Sequence, residues 1–388
     1  MNDINIHFSR EEFAERQRRA CERMAELELD GMLLFKFEDM YWLTGFDSDG
    51  FTIFGCMFLG SDGQLAHLAR PADLANAAYS SICEDVRVAI DAQDAPRGGQ
   101  IREMLESLGM QGKRIGIQAD TMGVTPRLFL EIQATLEGWC EPVVAPDFIR
   151  ELRLVKSPQE LDYLRQAGAI MDKVMQETID ATFPGAYEGD IYATFYDTLF
   201  RMGADLPAHI PPLGSGKSAL NLRYTSKRKH VEHNDQVTLE LGVGYRHYHA
   251  ASMCVVLTGP DISDRHLQMH ETSVKALDAV QAILRPGTTV GELYDAYRNT
   301  LEANGEHDSV LTVCGYTMGA TCPPTWMEQP LIFAGNPLVL EQNMSFFTHM
   351  ILNDRNAGRS MAVAEQAIIT SDAPEIITHV PRTPIIKN

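Results

Sequence analysis

The sequence has no Cys-x-x-Cys pair and no even cysteine framework. Its seven cysteines, Cys21, Cys56, Cys83, Cys140, Cys254, Cys314 and Cys322, are scattered over 388 residues. Even the closest pair, Cys314 and Cys322, is spaced too widely for half of a zinc-finger site. A disulfide scaffold is excluded, and the expectation is reduced thiols in a cytoplasmic protein. Positive charge is also scarce. Lys plus Arg number 33 against 53 Asp plus Glu, a formal net charge of −20. That balance argues against a general binder of nucleic acid or anionic membrane, while leaving room for a local basic pocket. Long apolar runs are missing, since the most apolar stretch, Phe51–Leu59, is far too short to span a bilayer. Met1–Arg10 lacks the basic and apolar regions of a secretory signal, so none is expected. Solenoid-length repeats and low-complexity tracts are absent as well. What remains is a globular composition, 45% apolar and 8% aromatic, with a length that suits two domains.

Local signals divide the chain. Ser9 precedes Arg10-Glu11-Glu12-Phe13 in a capping-box pattern, and Phe13, Ala20, Met24 and Leu27 follow at helical spacing. Gly31 ends that helix. Met32–Phe35, Phe51–Phe58, Leu65–Leu68 and Arg114–Ile117 read as strands, with a helix over Gly99–Leu108. This is an α/β pattern with a mixed or parallel sheet. At Ser157-Pro158-Gln159-Glu160 a second capping box opens a long helix to about Thr182. Glu188–Met202 is another helix. Strands are expected at Gln236–Leu241, Ser252–Leu257, Ser345–Leu352 and Ala362–Thr370, and helices at Asp264–Leu284 and Thr288–Asn304. The boundary placed before the long helix gives domains 1–152 and 153–388.

Four segments share an order with a known family. Arg153-Leu154-Val155-Lys156-Ser157-Pro158-Gln159-Glu160 resembles the interdomain linker of the creatinase/Xaa-Pro aminopeptidase/prolidase superfamily. Tyr41-Trp42-Leu43-Thr44-Gly45-Phe46 is similar to its N-terminal motif. Leu284–Thr289 resembles its helix–Pro-Gly–helix joint, and Glu365–Thr370 its last core strand. The resemblance implies an α/β (α+β) chain: an N-terminal creatinase-like α/β domain, then a C-terminal pita-bread catalytic domain. The metallopeptidase branch holds two divalent metals with two Asp, one His and two Glu, the carboxylate-rich cage that hard dications prefer. Carried over residue by residue, those positions fall at Glu240, Ala251, Tyr316, His349 and Glu365. Two carboxylates and one imidazole remain of the set, so the resemblance implies a lost dinuclear site, no metal and no cofactor. The creatinase-type His falls near Arg223. With Tyr245-Arg246-His247-Tyr248-His249, the chain resembles the ectoine hydrolase branch more than creatinase.

The resemblance thus implies a metal-independent hydrolase that opens the cyclic amidine of ectoine to N-acetyl-L-2,4-diaminobutyrate. An amidinium pairs with a carboxylate through two parallel N–H···O bonds, so Glu240 and Glu365 are expected to hold it. Glu240 is the preferred nucleophile or general base, and both routes stay open. His349 is assigned the proton donation to the departing nitrogen because an ordinary imidazole titrates near neutrality. Arg223 is the first choice for the substrate carboxylate, ahead of Arg355, Arg359 and Lys217. Tyr316, Trp326 and Phe46 are expected as walls, and Phe46 and Asp47 as contributions from a partner subunit in a homodimer. The partner molecule is thus a small zwitterion, with no nucleic acid and no membrane. His247 and His249 share a side if they alternate on a strand, which leaves open a metal pair without an evident third ligand. Gly214-Ser215-Gly216-Lys217-Ser218 lacks the first glycine of a phosphate loop and is set aside. Other readings are a creatinase-like amidinohydrolase, a residual metal enzyme, or a non-catalytic binding protein.

Overall fold

The computed structural model describes residues 4–50, 53–92, 94–225 and 228–388. Phe51 and Thr52 of one expected strand, and Ser226 and Lys227 of the basic run after Arg223, lie outside the described residues. The chain divides into two units, Met1–Arg153 and Leu154–Asn388.

In the first unit six strands form one mixed sheet: β1 (Gly31–Leu34), β2 (Cys56–Gly60), β3 (Leu65–Ala69), β4 (Val86–Val88), β5 (Arg114–Ile117) and β6 (Glu141–Val144), in the order β4-β3-β2-β1-β5-β6. Helices α1 (Arg10–Glu26), α2 (Phe37–Thr44), α3 (Leu74–Ser80), α4 (Arg97–Ser107), α5 (Pro126–Leu136) and α6 (Phe148–Arg153) complete it. Ser9 caps α1, accepting from the Glu12 N–H at 3.2 Å. Helix α2 was not expected from periodicity, because seven of its eight residues are buried and no polar face marks it. A buried polar group anchors it. Asp39 accepts from Arg153 at 2.8 Å and from Gln118 at 2.6 Å, and Gln118 in turn accepts from the Phe35 and Lys36 N–H groups. Gly45 then stops α2 at φ 81°, where a side chain would strike the Ser80 carbonyl.

In the second unit α7 (Pro158–Asp180) opens with both halves of the Ser157/Glu160 capping box. It is followed by α8 (Glu188–Arg201), β7 (Leu213–Ser215), β8 (Asp235–Tyr245) and β9 (Tyr248–Thr258). Next come α9 (Asp264–Ala282) and α10 (Val290–Ala303), the latter with its own Thr289/Glu292 capping box. Strands β10 (Gly315–Thr317), β11 (Glu328–Leu331), β12 (Ser345–Asp354), β13 (Arg359–Ile368), β14 (Glu375–Ile376) and β15 (Ile385–Lys387) finish the unit. The sheet order is β11-β10-β12-β13-β9-β8-β7, with β14 on β13 and β15 on β9. The β8–β9 hairpin turns on Arg246 (φ 52°) and His247 (φ 67°), a two-residue loop with the positive φ values of a type I′ turn.

Side-chain direction across this sheet follows from register. Glu240 lies opposite Met253, Met253 opposite Ala364, and Ala364 opposite His349. Directly paired residues share a face, so Glu240 and His349 project to one side. The alternate set, which includes Cys254, Val363 and Glu365, projects to the other. There the Cys254 thiol meets Met175 of α7, and Glu365 meets Gln281 of α9. Among the described residues no helix is long and apolar enough to cross a membrane.

Candidate active site

On the side of that row that bears Glu240 and His349 lies a cavity of about 240 Å³ lined by Leu222, Arg223, Glu240, Tyr316, His349 and Ile351, with Leu311, Thr312, Val313 and Met327. Strand β8 supplies Glu240, β12 supplies His349 and Ile351, and β10 supplies Tyr316. Tyr316 is paired with Phe347 two residues from His349, so the tyrosine and histidine share the face. Arg223 comes from the irregular segment before β8.

Glu240 is 8% exposed, and its carboxyl makes no hydrogen bond or ion pair with a described residue. Burial pushes its pKa up to about 7, opposed by the Arg223 charge. The Arg223 side chain is exposed and donates only to the adjacent Leu222 carbonyl at 3.2 Å. Opposite charges thus face one small cavity without meeting. The Tyr316 oxygen accepts from Trp326 Nε1 at 2.9 Å. Its hydroxyl is held well above the ordinary range, first by burial and then by Glu240. The Trp326 indole lies over Gly242, where a Cβ would come within 2.9 Å of the ring, so only glycine lets the ring sit on the strand. Gly242 is paired with Ala251.

Several expectations change. Glu365 does not reach this cavity. Its carboxylate is clamped on the opposite face by both Arg382 terminal nitrogens at 2.9 Å, by Gln281 at 2.9 Å and by the Val380 N–H at 3.0 Å. The inward position on β13 is Ala364. His349 stands beside Glu240, but burial and then Arg223 pull its pKa down to about 4. Burial thus works against the cationic form from which an ordinary imidazole would donate. Its Nδ1 is buried without a described partner. Tyr316 lines the cavity, whereas Trp326, 1% exposed, stands behind it. Phe46 is 1% exposed and packs edge-on against His67, inside the first unit's own core. Asp47 is half-buried in that unit, its N–H donating to Ser80 at 2.9 Å. Lys217 and Arg359 line a separate cavity, and Arg355 another, leaving Arg223 with Glu240.

His247 and His249 do not form a metal pair. His247 occupies the turn, while His249 starts β9 with Nε2 accepting from the Ala208 N–H at 2.9 Å and Nδ1 2.7 Å from the His247 carbonyl. That arrangement fixes a neutral ring whose pKa burial lowers to about 3. In the Gly214–Ser218 segment, Gly214 and Ser215 end β7 and the rest forms a short 3-10 turn. Sequence reading missed the aliphatic walls Leu222, Leu311, Val313 and Ile351, which carry no chemical signature.

Residues 162–371 match the model of metallopeptidase family M24, and residues 16–155 match the creatinase/prolidase N-terminal domain. The chain therefore belongs to the M24 family of hydrolases, in its two-domain, creatinase-like form with a pita-bread second domain. Among individual relatives, the ectoine hydrolase of Halomonas elongata is 23% identical over 405 residues, covering 100% of both chains. A probable dipeptidase PepE of Mycobacterium tuberculosis is 27% identical over 349 residues, 87% of each chain. The dipeptidase PepE structure from Mycobacterium ulcerans superposes with a TM-score of 0.84 at 22% identity, over 98% of this chain and 99% of that one. An X-Pro aminopeptidase from Thermotoga maritima gives 0.82 at 20% identity, over 95% and 99%.

The family's name implies metal, and the residues present do not fit it. Among the described residues no group of three or more His, Cys, Asp or Glu side chains is placed to hold an ion. On the face that bears Glu240, its neighbours Ala251 and Ala364 are alanines, and an indole rests on Gly242.

Proposed function

We propose that this chain is a metal-independent hydrolase that cleaves a C–N bond in a small zwitterion with an amidinium at one end and a carboxylate at the other. Ectoine is the specific substrate. The observation that carries the reading is the pair Glu240 and Arg223, opposite charges that face one cavity of about 240 Å³ and leave each other unpaired. A dipolar ligand completes both. The cavity is smaller than the ~300–1,000 Å³ of drug-sized sites, which suits a single small ring. The match to the Halomonas ectoine hydrolase over the full length of both chains supports a substrate of this kind.

Glu240 receives the amidinium, and a carboxyl near 7 is matched to general-base work at neutral pH. It either takes a proton from water attacking the amidine carbon or attacks that carbon itself. In both routes the ring C–N bond breaks and the departing nitrogen gains a proton. Arg223 holds the substrate carboxylate, and Leu222, Val313 and Ile351 enclose the apolar ring edge.

The test is proton NMR of ectoine with protein stripped of metal and checked by elemental analysis. Ring opening to N-acetyl-diaminobutyrate by the stripped protein is the expected result. Turnover that returns only with Mn or Zn would overturn metal independence. Cleavage of Xaa-Pro dipeptides in place of ectoine would overturn the substrate.

A further inference from the structure

The ring opening described above needs a proton at the departing nitrogen, and burial disfavours the cationic form of His349 that could give it. We infer that Tyr316 is the catalytic proton donor and that Trp326 is its positioning residue. This assignment rests on the proposed C–N hydrolysis.

The geometry runs through one hydrogen bond. Trp326 Nε1, which can only donate, gives its proton to the Tyr316 oxygen at 2.9 Å. The tyrosine must therefore spend its own O–H elsewhere, and no other described residue accepts it. The ring lines the cavity shared with Glu240, so that proton is directed toward the ligand. The indole cannot drift, because it is 1% exposed, sits on Gly242 and meets the His209 ring edge-on at 5.2 Å between centroids. Tyr316 is itself flanked by Phe347 at 5.4 Å and His349 at 5.8 Å.

Atoms balance in the step. Water adds to the amidine carbon and gives one proton to the Glu240 carboxylate. The C–N bond then breaks, its electron pair moves to nitrogen, and that nitrogen takes the Tyr316 hydroxyl proton. The phenolate left behind accepts from Trp326 Nε1 and regains its proton from Glu240, so the net change is addition of one water. Burial keeps Tyr316 protonated across the working range, so the donor is always loaded. The charged or titratable groups facing it are Glu240, Arg223 and His349 from the cavity, with His209 behind Trp326.

The test compares wild type, Tyr316→Phe and Trp326→Phe with ectoine. Wild-type kcat/KM is expected to rise through about pH 7 as Glu240 ionises and to stay level to pH 9. Tyr316→Phe is expected to lose roughly 100-fold or more in kcat, the lower end of general acid–base contributions. Trp326→Phe keeps a ring over Gly242 but removes the N–H. It is expected to lose about tenfold in kcat with KM little changed, near the value of one hydrogen bond, and to show a larger solvent deuterium effect. A purely structural Trp326 would not raise that isotope effect. Near wild-type kcat in Tyr316→Phe overturns the assignment while leaving the hydrolase reading intact. An alkaline limb that vanishes in His349→Asn reassigns the donor to His349. Absence of wild-type turnover removes the hydrolase reading and this assignment together.

Discussion

Glu240 is a carboxyl without a cation in contact, inside a wall that disfavours charge. Its folded-state pKa of about 7 lies above the ordinary 4.5, so folding favours the protonated form. The stability this gives is full below about pH 4.5 and is lost as pH rises through 7. Glu240→Gln keeps the shape and removes the ionisation. It is expected to abolish turnover yet to stabilise the fold above pH 7 by up to roughly 3 kcal/mol, at 1.36 kcal/mol per pH unit. Calorimetry at pH 5 and pH 8.5 checks this, with the gap between variant and wild type widening several-fold at the higher pH. Equal melting shifts at both pH values would mean that Glu240 is already paired.

Among the elements, β13 teaches most, because a single-residue slip decides its chemistry. Glu365 is the visible acidic residue of Ala364-Glu365-Gln366, yet the inward residue is Ala364 and Glu365 serves the α9 face. Glu365→Gln is therefore expected to cost stability while leaving kcat unchanged. Arg382→Ala, which leaves a 4% exposed carboxylate with fewer partners, is expected to cost about 2 kcal/mol after allowing for the partly exposed guanidinium. Thermal melting together with turnover checks both, and a selective loss of kcat in Glu365→Gln would return that residue to the site. The sequence made some helix ends readable because capping is local: Ser9 and Ser157 cap where the pattern puts them, whereas the helix expected from Thr288 begins at Val290, with Thr289 as its cap. It left strand faces unreadable because β9 and nearly all of β13 are buried on both sides, so no polar alternation separates inside from outside. Glu240, Arg223, Tyr316 and His349 were named through the family resemblance, position by position, and all four line one cavity. The pairing of Trp326 with Tyr316 depends on a contact ten residues apart that no periodicity encodes.

For the whole molecule, a net charge of −20 means self-repulsion across the surface. Salt screens exposed charges over about 10 Å at 0.1 M. The melting temperature is expected to rise, or hold, between 10 mM and molar NaCl, and a steep fall would show that surface ion pairs outweigh the repulsion. The tryptophans add another whole-molecule property. There are three, and Trp326 alone lies in Leu154–Asn388, since Trp42 and Trp139 belong to the first unit. With those two replaced by phenylalanine, all indole emission would come from a side chain one hydrogen bond away from the cavity. Such a protein carries its own lamp. Filling the cavity alters the polarity around the Tyr316 hydroxyl, and the emission of Trp326 would report occupancy without label, product or turnover.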